Sequence, residues 1–169
     1  MLGNLLTQDV LQSATLYAQL NAAMANAAFA SWDSKWFYNT WRPETAIHRT
    51  DIWLKSGHNI SDPAWQPLLH PTPVEQEYTS GHGTTGAAAA AVLRAFNGNK
   101  DDIRVTVSSN VTQDNIGVLT RSYTNLTAAG YEIGESRVYG GIHFHFSAGA
   151  VFDVGTKVGQ ETIKAGIQF

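Results

Sequence analysis

The sequence contains no cysteine, and charged residues occupy only 15% of its 169 positions. Without cysteine the chain has no disulfides, no thiolate nucleophile and no cysteine-ligated zinc. The formal net charge of -3 provides no basic surface of the kind that binds nucleic acid, so we expect no nucleic acid partner. No run of about 18 apolar residues occurs, and residues 1–20 lack the basic segment and apolar core of a signal peptide. These absences predict a soluble protein without a membrane span.

What the chain does have is a hydrophobic fraction of 43%, enough for one globular domain over residues 1–169. Apolar residues at helical spacing, alanine-rich stretches and the placement of proline and glycine predict an all-α bundle of about five main helices with long loops. The predicted helical segments are residues 8–30, 32–41, 84–96, 114–133 and 147–165. Residues 103–109 read as a short strand, and the prolines between residues 51 and 77 predict a long loop. Asn-x-Ser/Thr triplets at Asn59, Asn110 and Asn125 leave secretion open.

Three polar blocks follow one another along the chain and together suit a tetrahedral oxyanion. The first is Lys35, separated by six residues from Arg42. The second is a Ser-Gly-His run that ends at His82, just before a predicted helix whose free amides and dipole favour an anion. The third holds Arg137 and His143. Arginine and lysine donate to oxyanion oxygens, and histidine transfers protons or supplies a nucleophilic nitrogen. On one helix, a spacing of seven would put Lys35 and Arg42 on the same face.

Each block alone has a structural interpretation of comparable weight. Lys35 and Arg42 could be a solvated helix face, Arg137 an ion-pair partner, and the glycine-rich run a flexible turn. His143 and His145 could form a two-histidine half-site for a metal, although no third ligand stands at a recognised spacing. An aromatic cluster is interpreted as core packing that positions Lys35; it comprises Trp32, Trp36, Phe37, Tyr38 and Trp41. The joint occurrence of the three blocks in order favours an oxyanion site.

The order Lys-x6-Arg-Pro, Ser-Gly-His and Ser-Arg-x5-His resembles the signature of the vanadium-dependent haloperoxidases and the type 2 phosphatidic acid phosphatases, which share one helical fold. The resemblance covers residues 11–159, and residues 35–47 look more like the soluble haloperoxidase-like branch. Haloperoxidases of this family carry a long helical region before the equivalent lysine. The resemblance therefore implies that the chain is the C-terminal, site-bearing part of a longer protein. In that case its exposed apolar helix faces would be covered by another segment or by a second copy of the chain, as in a homodimer.

The resemblance also implies roles for particular residues. The oxygens of vanadate or phosphate would be held by Lys35, Arg42, Ser80, the Gly81 amide and Arg137. His143 would bind vanadium or act as a phosphohistidine-forming nucleophile, His82 would be the acid–base group, and Lys35 would polarise bound peroxide. The favoured function is a vanadium-dependent haloperoxidase-like oxidoreductase using vanadate, hydrogen peroxide and halide. The alternatives are a soluble acid phosphatase that acts on a phosphate ester without vanadium, and an inactive helical module that binds phosphate.

Three positions depart from the family pattern. Ser147 stands where the family has an aspartate that hydrogen-bonds the ring equivalent to His143, so we expect a poorer electron donor there. Thr79 replaces a proline before the Ser-Gly-His run, which alters only turn rigidity. Glu75 stands where haloperoxidases carry an aromatic residue or histidine that tunes halide oxidation, and a carboxylate would repel halide.

Overall fold

The computed structural model describes residues 6, 9–49, 51, 55–59, 61–109 and 119–166. Within these residues the long helices are α1 (Val10–Tyr38), α3 (Gly81–Phe96), α4 (Leu126–Tyr139) and α5 (His145–Ala165), with a short helix α2 (Pro43–His48). Two strands, β1 (Val105–Ser109) and β2 (Leu119–Tyr123), form an antiparallel hairpin in which Val105 lies opposite Tyr123. The predicted helical bundle is confirmed, with this small sheet in addition.

Helix α3 lies at the centre of the bundle and packs against α1, α4 and α5. Four of its six alanines are buried, and small residues on α5 let the two backbones approach closely. A Cβ placed on Gly155 would lie 2.2 Å from the Thr84 carbonyl oxygen, and one on Gly159 would lie 2.7 Å from that of Ala88. The tight seam between α3 and α5 therefore requires glycine at these positions. It sets the position of the amino end of α3, where the Ser-Gly-His run lies.

The buried face of α1 carries small residues and the exposed face carries the aromatic ones. Ala23, Ala27, Ser31 and Lys35, each four residues apart, are all buried. Trp36 and Phe37 are 70% and 80% exposed, and Trp32, Tyr38 and Trp41 are also exposed. The interpretation of this cluster as core packing is wrong, because the contact with the alanine-rich α3 leaves room only for small side chains. Trp36 and Phe37 lie on the outer face of the helix, Trp32 borders a cavity that Lys35 also lines, and Trp41 follows the end of α1.

Helix α1 runs continuously through both predicted helical segments, 8–30 and 32–41, as far as Tyr38. It ends where Asn39 adopts a left-handed conformation (φ 46°, ψ 49°) and donates its amide to the Lys35 carbonyl oxygen. Arg42 lies beyond this end, as the residue before α2, whose first position is Pro43. Lys35 and Arg42 therefore do not share a helix face, and the prediction that spacing alone would align them is wrong. They meet because the chain turns at Asn39.

The predicted helix at residues 114–133 is also wrong in its first part. Residues 114–118 lie outside the described residues, and Leu119–Tyr123 is strand β2, paired with the correctly predicted strand. The next helix begins only at Leu126, where the Asn125 side chain accepts from the Ala128 amide at 2.7 Å, and it continues to Tyr139. Arg137 consequently lies on the last turn of α4. Among the described residues of the long segment 51–77 there is no helix, as predicted.

No helix within the described part of the chain combines the length and the apolar character needed to cross a bilayer.

Candidate functional site

A cavity of about 320 Å³ opens where the carboxyl ends of α1 and α4 meet the amino end of α3. Six of the predicted site residues line it: Lys35, Arg42, Gly81, His82, Arg137 and His143. They come from three separate parts of the sequence, and the folded chain brings them to one place. Ser80 is not part of the lining. It is fully buried, and its hydroxyl oxygen accepts weakly from the Gly83 amide at 3.5 Å as the N-cap of α3.

Lys35 reaches the cavity from the last turn of α1 and is only 2% exposed. Its Nζ donates to the carbonyl oxygens of Gln76 at 2.6 Å and of Glu77 at 3.1 Å. An ammonium group has three N–H donors, so one remains for a ligand in the cavity. Burial, reinforced by the nearby Arg42 guanidinium, lowers the pKa of Lys35 from 10.5 to about 8. Lys35 is thus a fixed cation that loses its proton more easily than an ordinary lysine.

Arg42 is buried and makes four hydrogen bonds to protein atoms. Its Nε and Nη2 donate to the Glu75 carbonyl oxygen (2.9 Å) and carboxylate (3.1 Å) respectively. Its Nη1 donates to the Ile142 carbonyl oxygen at 2.8 Å and contacts His143 Nε2 at 2.9 Å. Because a guanidinium has five N–H donors, only one is left over within the described residues. The conformation of Arg42 is therefore strongly determined by its neighbours.

These contacts determine which nitrogen of His143 carries the proton. A guanidinium cannot accept a hydrogen bond, so Nε2 of His143 must accept from Arg42 Nη1. The proton then lies on Nδ1, which donates to the Glu77 carboxylate at 2.8 Å. Burial lowers the pKa of His143, although the hydrogen bond to Glu77 opposes this effect. The ring is neutral at neutral pH, and its Nε2 lone pair accepts from Arg42 at the edge of the cavity.

Glu77 supplies the carboxylate that was expected to be missing. It is fully buried, and the same oxygen, Oε1, also accepts from the Phe144 amide at 3.0 Å. Ser147 is fully buried as well, but its hydroxyl has no hydrogen-bond partner among the described residues. The expected poorer electron donor at His143 rested on the lack of a carboxylate at position 147, whereas a carboxylate from another part of the chain hydrogen-bonds the ring. The sequence offers one signal for this role of Glu77, an acidic residue in an irregular segment just before the Ser-Gly-His run.

Arg137 and His82 complete the polar lining. The Nε of Arg137 is buried without a hydrogen-bond partner in the described part of the chain. The Arg137 carbonyl oxygen accepts from the amides of Ile142 and His143, at 3.1 and 3.3 Å, and so couples its helix to the histidine. Burial first, and then the Arg137 charge, lower the pKa of His82. His82 is therefore a neutral proton acceptor at neutral pH, next to a cation that has spare donors.

The turn that carries His143 depends on Gly141, which has a φ of +76°. A Cβ at this position would lie 3.0 Å from the side chain of Pro67 in the long loop. His145, two residues beyond His143, has a side chain that is 78% exposed, and its Nδ1 lies 3.6 Å from Glu135 Oε2. Among the described residues no group of three or more acidic, histidine or cysteine side chains could hold a metal ion. The two-histidine half-site is therefore not supported.

The cavity fits an oxyanion such as vanadate or phosphate. Lys35, Arg42 and Arg137 each retain donor capacity, and the orphaned Arg137 Nε is a buried donor that lacks an acceptor. Gly81 and His82, the first residues of α3, line the same cavity, and their amides have no acceptor within the helix. Donors surround a space next to the His143 Nε2 lone pair. Such an arrangement stabilises negative charge on a group attached to that nitrogen.

Comparisons with known proteins identify the family and the fold of the chain. The family model described as the VCPO (vanadium chloroperoxidase) second helical-bundle domain matches residues 15–168. A vanadium chloroperoxidase from Curvularia inaequalis is 26% identical, and the match covers 83% of this chain but only 29% of that protein. The crystal structure of a bacterial vanadium-dependent iodoperoxidase is 31% identical, with a TM-score of 0.71, over 90% of this chain and 33% of the other. An apo-type bacterial vanadium-dependent chloroperoxidase, 21% identical, shares the fold with a TM-score of 0.75, over 93% of this chain and 37% of that one.

Proposed function

Because the chain belongs to the family of the VCPO second helical-bundle domain, we propose that it is the site-bearing part of a vanadium-dependent haloperoxidase-like oxidoreductase. The observation that carries the proposal is the state of His143, a neutral ring with its proton on Nδ1. Its Nε2 accepts from Arg42 and lies beside a cavity that Lys35, Arg42 and Arg137 line. The chain spans about a third of the length of the solved relatives. We therefore also propose that residues 1–169 form one domain of a longer enzyme.

In this proposal His143 Nε2 and the surrounding donors hold vanadate. When bound, vanadate supplies the centre at which hydrogen peroxide is activated toward halide. Arg137, the Gly81 amide and the third N–H of Lys35 would donate to its oxygens. Arg42 already touches Nε2, so it can follow the ligand with a small movement of its guanidinium. Ser80 contributes indirectly, by capping the helix that carries Gly81 and His82.

Two further residues handle protons and orientation. His82 has no carboxylate hydrogen-bonded to it among the described residues, and its lowered pKa leaves it able to accept a proton from peroxide or water. Glu77 keeps the His143 proton on Nδ1 and places a negative charge behind the ring, which raises the electron-donating power of Nε2. A neutral His82 and an electron-rich His143 Nε2 both suit a reaction on a group that is bound at Nε2.

The contact between Glu77 and His143 also favours a second candidate, a phosphatase that acts through a phosphohistidine. A carboxylate hydrogen-bonded to Nδ1 is the usual way to orient a histidine for attack through Nε2. The same cationic donors would neutralise charge on a phosphoryl group in transfer, and His82 would protonate the leaving group. No vanadium is needed for this chemistry.

The purified chain distinguishes the candidates in two parallel assays. One follows bromination of a dye by hydrogen peroxide and bromide, with and without orthovanadate, and the other follows hydrolysis of a chromogenic phosphate ester. Bromination that depends on vanadate and is lost in His143→Ala supports the haloperoxidase. Ester hydrolysis that vanadate inhibits, without bromination, would support the phosphatase instead. No activity in either assay, together with an unchanged phosphate affinity in His143→Ala, would support an inactive phosphate-binding module.

A further inference from the structure

A carboxylate lies in the lining of this anion-binding cavity. Glu75 belongs to the long loop, its side chain is 28% exposed, and it faces the same space as Lys35, Arg42 and His82. Its influence reaches beyond its direct partner, because it raises the pKa of Lys35 and of His82 against the larger, lowering effect of burial. A negative charge in this position disfavours an entering oxyanion and shields the cations that would hold it.

Glu75 also determines the position of Arg42. Two of the four hydrogen bonds of Arg42 go to this one residue, one to its carbonyl oxygen and one to its carboxylate. A third goes to His143 Nε2, the atom to which a vanadate or phosphoryl group would attach. We call this arrangement, in which Glu75 holds the Arg42 guanidinium against His143 Nε2, the Arg42 latch. An anion that binds at Nε2 must displace the Arg42 contact there and compete with Glu75 for the guanidinium.

We propose that Glu75 is a positioning residue that weakens oxyanion binding by holding the Arg42 latch closed and by opposing the negative charge of the ligand. The inference deepens the proposed function and rests on its oxyanion site, and it does not depend on peroxidase chemistry. Glu77 has a different effect although it lies only two residues away. Its carboxylate accepts from Nδ1 on the far side of the His143 ring, and Glu77 is not part of the cavity lining.

Glu75→Gln tests the proposal directly. Glutamine keeps the length and a carbonyl oxygen that can accept from Arg42 Nη2, but it removes the charge. We expect the affinity for phosphate and for orthovanadate to rise about tenfold, the effect of one nearby unit charge that is partly screened by solvent. Glu75→Ala also removes the acceptor, and we expect it to bind at least as tightly as Glu75→Gln. The Glu75 backbone carbonyl, which Arg42 Nε uses, is present in both variants.

Glu161→Gln is a matched control. Glu161 is 73% exposed near the end of α5 and pairs only loosely with Lys164, so the substitution changes the net charge equally without touching the cavity. Titration calorimetry with inorganic phosphate and with orthovanadate measures affinity in the wild type and the three variants, and thermal unfolding confirms that each is folded. Tighter binding in both Glu75 variants, with Glu161→Gln unchanged, is the expected result.

Several results would overturn the proposal. One is unchanged or weaker binding in folded Glu75→Gln and Glu75→Ala, which would make Glu75 a simple support for Arg42. Another is an equal gain in Glu161→Gln, which would assign the effect to net charge. Failure of all four proteins to bind either anion also rejects it. Dye bromination measured on the same samples separates the two proposals, because tighter anion binding without bromination supports the role of Glu75 and contradicts the haloperoxidase function.

Discussion

Replacing Glu77 with glutamine tests whether a carboxylate from the loop activates His143. Glu77 is fully buried, and its Oε1 accepts from His143 Nδ1 at 2.8 Å and from the Phe144 amide at 3.0 Å. A hydrogen bond to a charged group contributes about 1.5–3 kcal/mol net, roughly twice as much as one between neutral groups. Glutamine preserves the shape of the side chain and one acceptor oxygen. It removes the negative charge behind the ring.

We expect Glu77→Gln to lower vanadate affinity, and the turnover of whichever reaction the site performs, by about tenfold to hundredfold. The second oxygen of Glu77 has no hydrogen-bond partner among the described residues, so the amide nitrogen of glutamine would find no acceptor there. This costs about 1–3 kcal/mol unless the amide rotates its nitrogen toward His143 Nδ1. That rotation would direct the amide N–H at the Phe144 amide, which now donates to this position. It would also move the ring proton to Nε2, which could then neither accept from Arg42 nor bind a ligand.

Equilibrium dialysis of orthovanadate measures the affinity, and nitrogen NMR of the histidine rings reports which nitrogen of His143 carries the proton. Ser147→Ala is the control, because its unpartnered hydroxyl can be removed without breaking a hydrogen bond within the described chain. We expect Ser147→Ala to bind vanadate within about twofold of wild type. The reasoning fails if Ser147→Ala is the more damaging substitution, or if folded Glu77→Gln keeps full affinity and the proton on Nδ1.

Three further predictions concern the site and the bundle. Arg137→Gln should lower phosphate affinity about tenfold to hundredfold, as measured by phosphate titration. Thermal unfolding should show a change in stability of less than about 1 kcal/mol, because the buried Nε of Arg137 has no hydrogen-bond partner to lose in the described structure. Gly155→Ala should destabilise the protein by about 1–3 kcal/mol, since its Cβ would lie 2.2 Å from the Thr84 carbonyl oxygen, whereas Gly149→Ala, with nothing within 4 Å, should not; equal Tm values would contradict the tight seam. Sulfate keeps a constant charge, and its affinity should fall by up to about tenfold per pH unit as pH rises through about 8. The reason is that Lys35 loses its proton in this range and must take it up again for sulfate to bind. Lys35→Arg should remove this pH dependence.

Through Lys35, a rise in pH weakens anion binding but stabilises the anion-free protein. Folding lowers the pKa of Lys35 from 10.5 to about 8, so between these values the unfolded chain holds a proton that the folded chain lacks. The free energy of unfolding of the anion-free protein therefore gains from Lys35 as pH rises across this window. Denaturant titrations of the wild type and Lys35→Met should diverge there.

Local patterns were sufficient where the chemistry follows from short-range spacing. The Ser-Gly-His run before an alanine-rich stretch predicts a helix amino end, and Ser80 does cap α3. The three ordered blocks predict a common site, and the cavity is lined by Lys35, Arg42, His82, Arg137 and His143. Whether these residues bind an oxyanion stays a prediction. The predicted shared helix face of Lys35 and Arg42 is wrong, since a turn at Asn39 brings Arg42 to Lys35.

Long-range packing was not visible in the pattern. Glu77 and His143 are separated by 66 residues, and nothing in the spacing of either predicts their contact. The aromatic residues of α1 occur at spacings that suit a core, but the choice between the two helix faces depends on the partner. Because α3 presents alanines and α5 presents glycines, the bundle selects the small residues of α1, such as Ala27 and Ser31, for the interior.

Three consecutive residues of the loop, Glu75, Gln76 and Glu77, contact Arg42, Lys35 and His143 through side-chain or carbonyl oxygens. The segment is itself fastened to the end of α1, since the Glu77 amide donates to the Thr40 carbonyl oxygen at 3.0 Å. Local opening of this one segment would release two cations and the central histidine together. Hydrogen exchange at the Glu77 amide therefore reports on the assembly of this part of the site, separately from unfolding of the bundle.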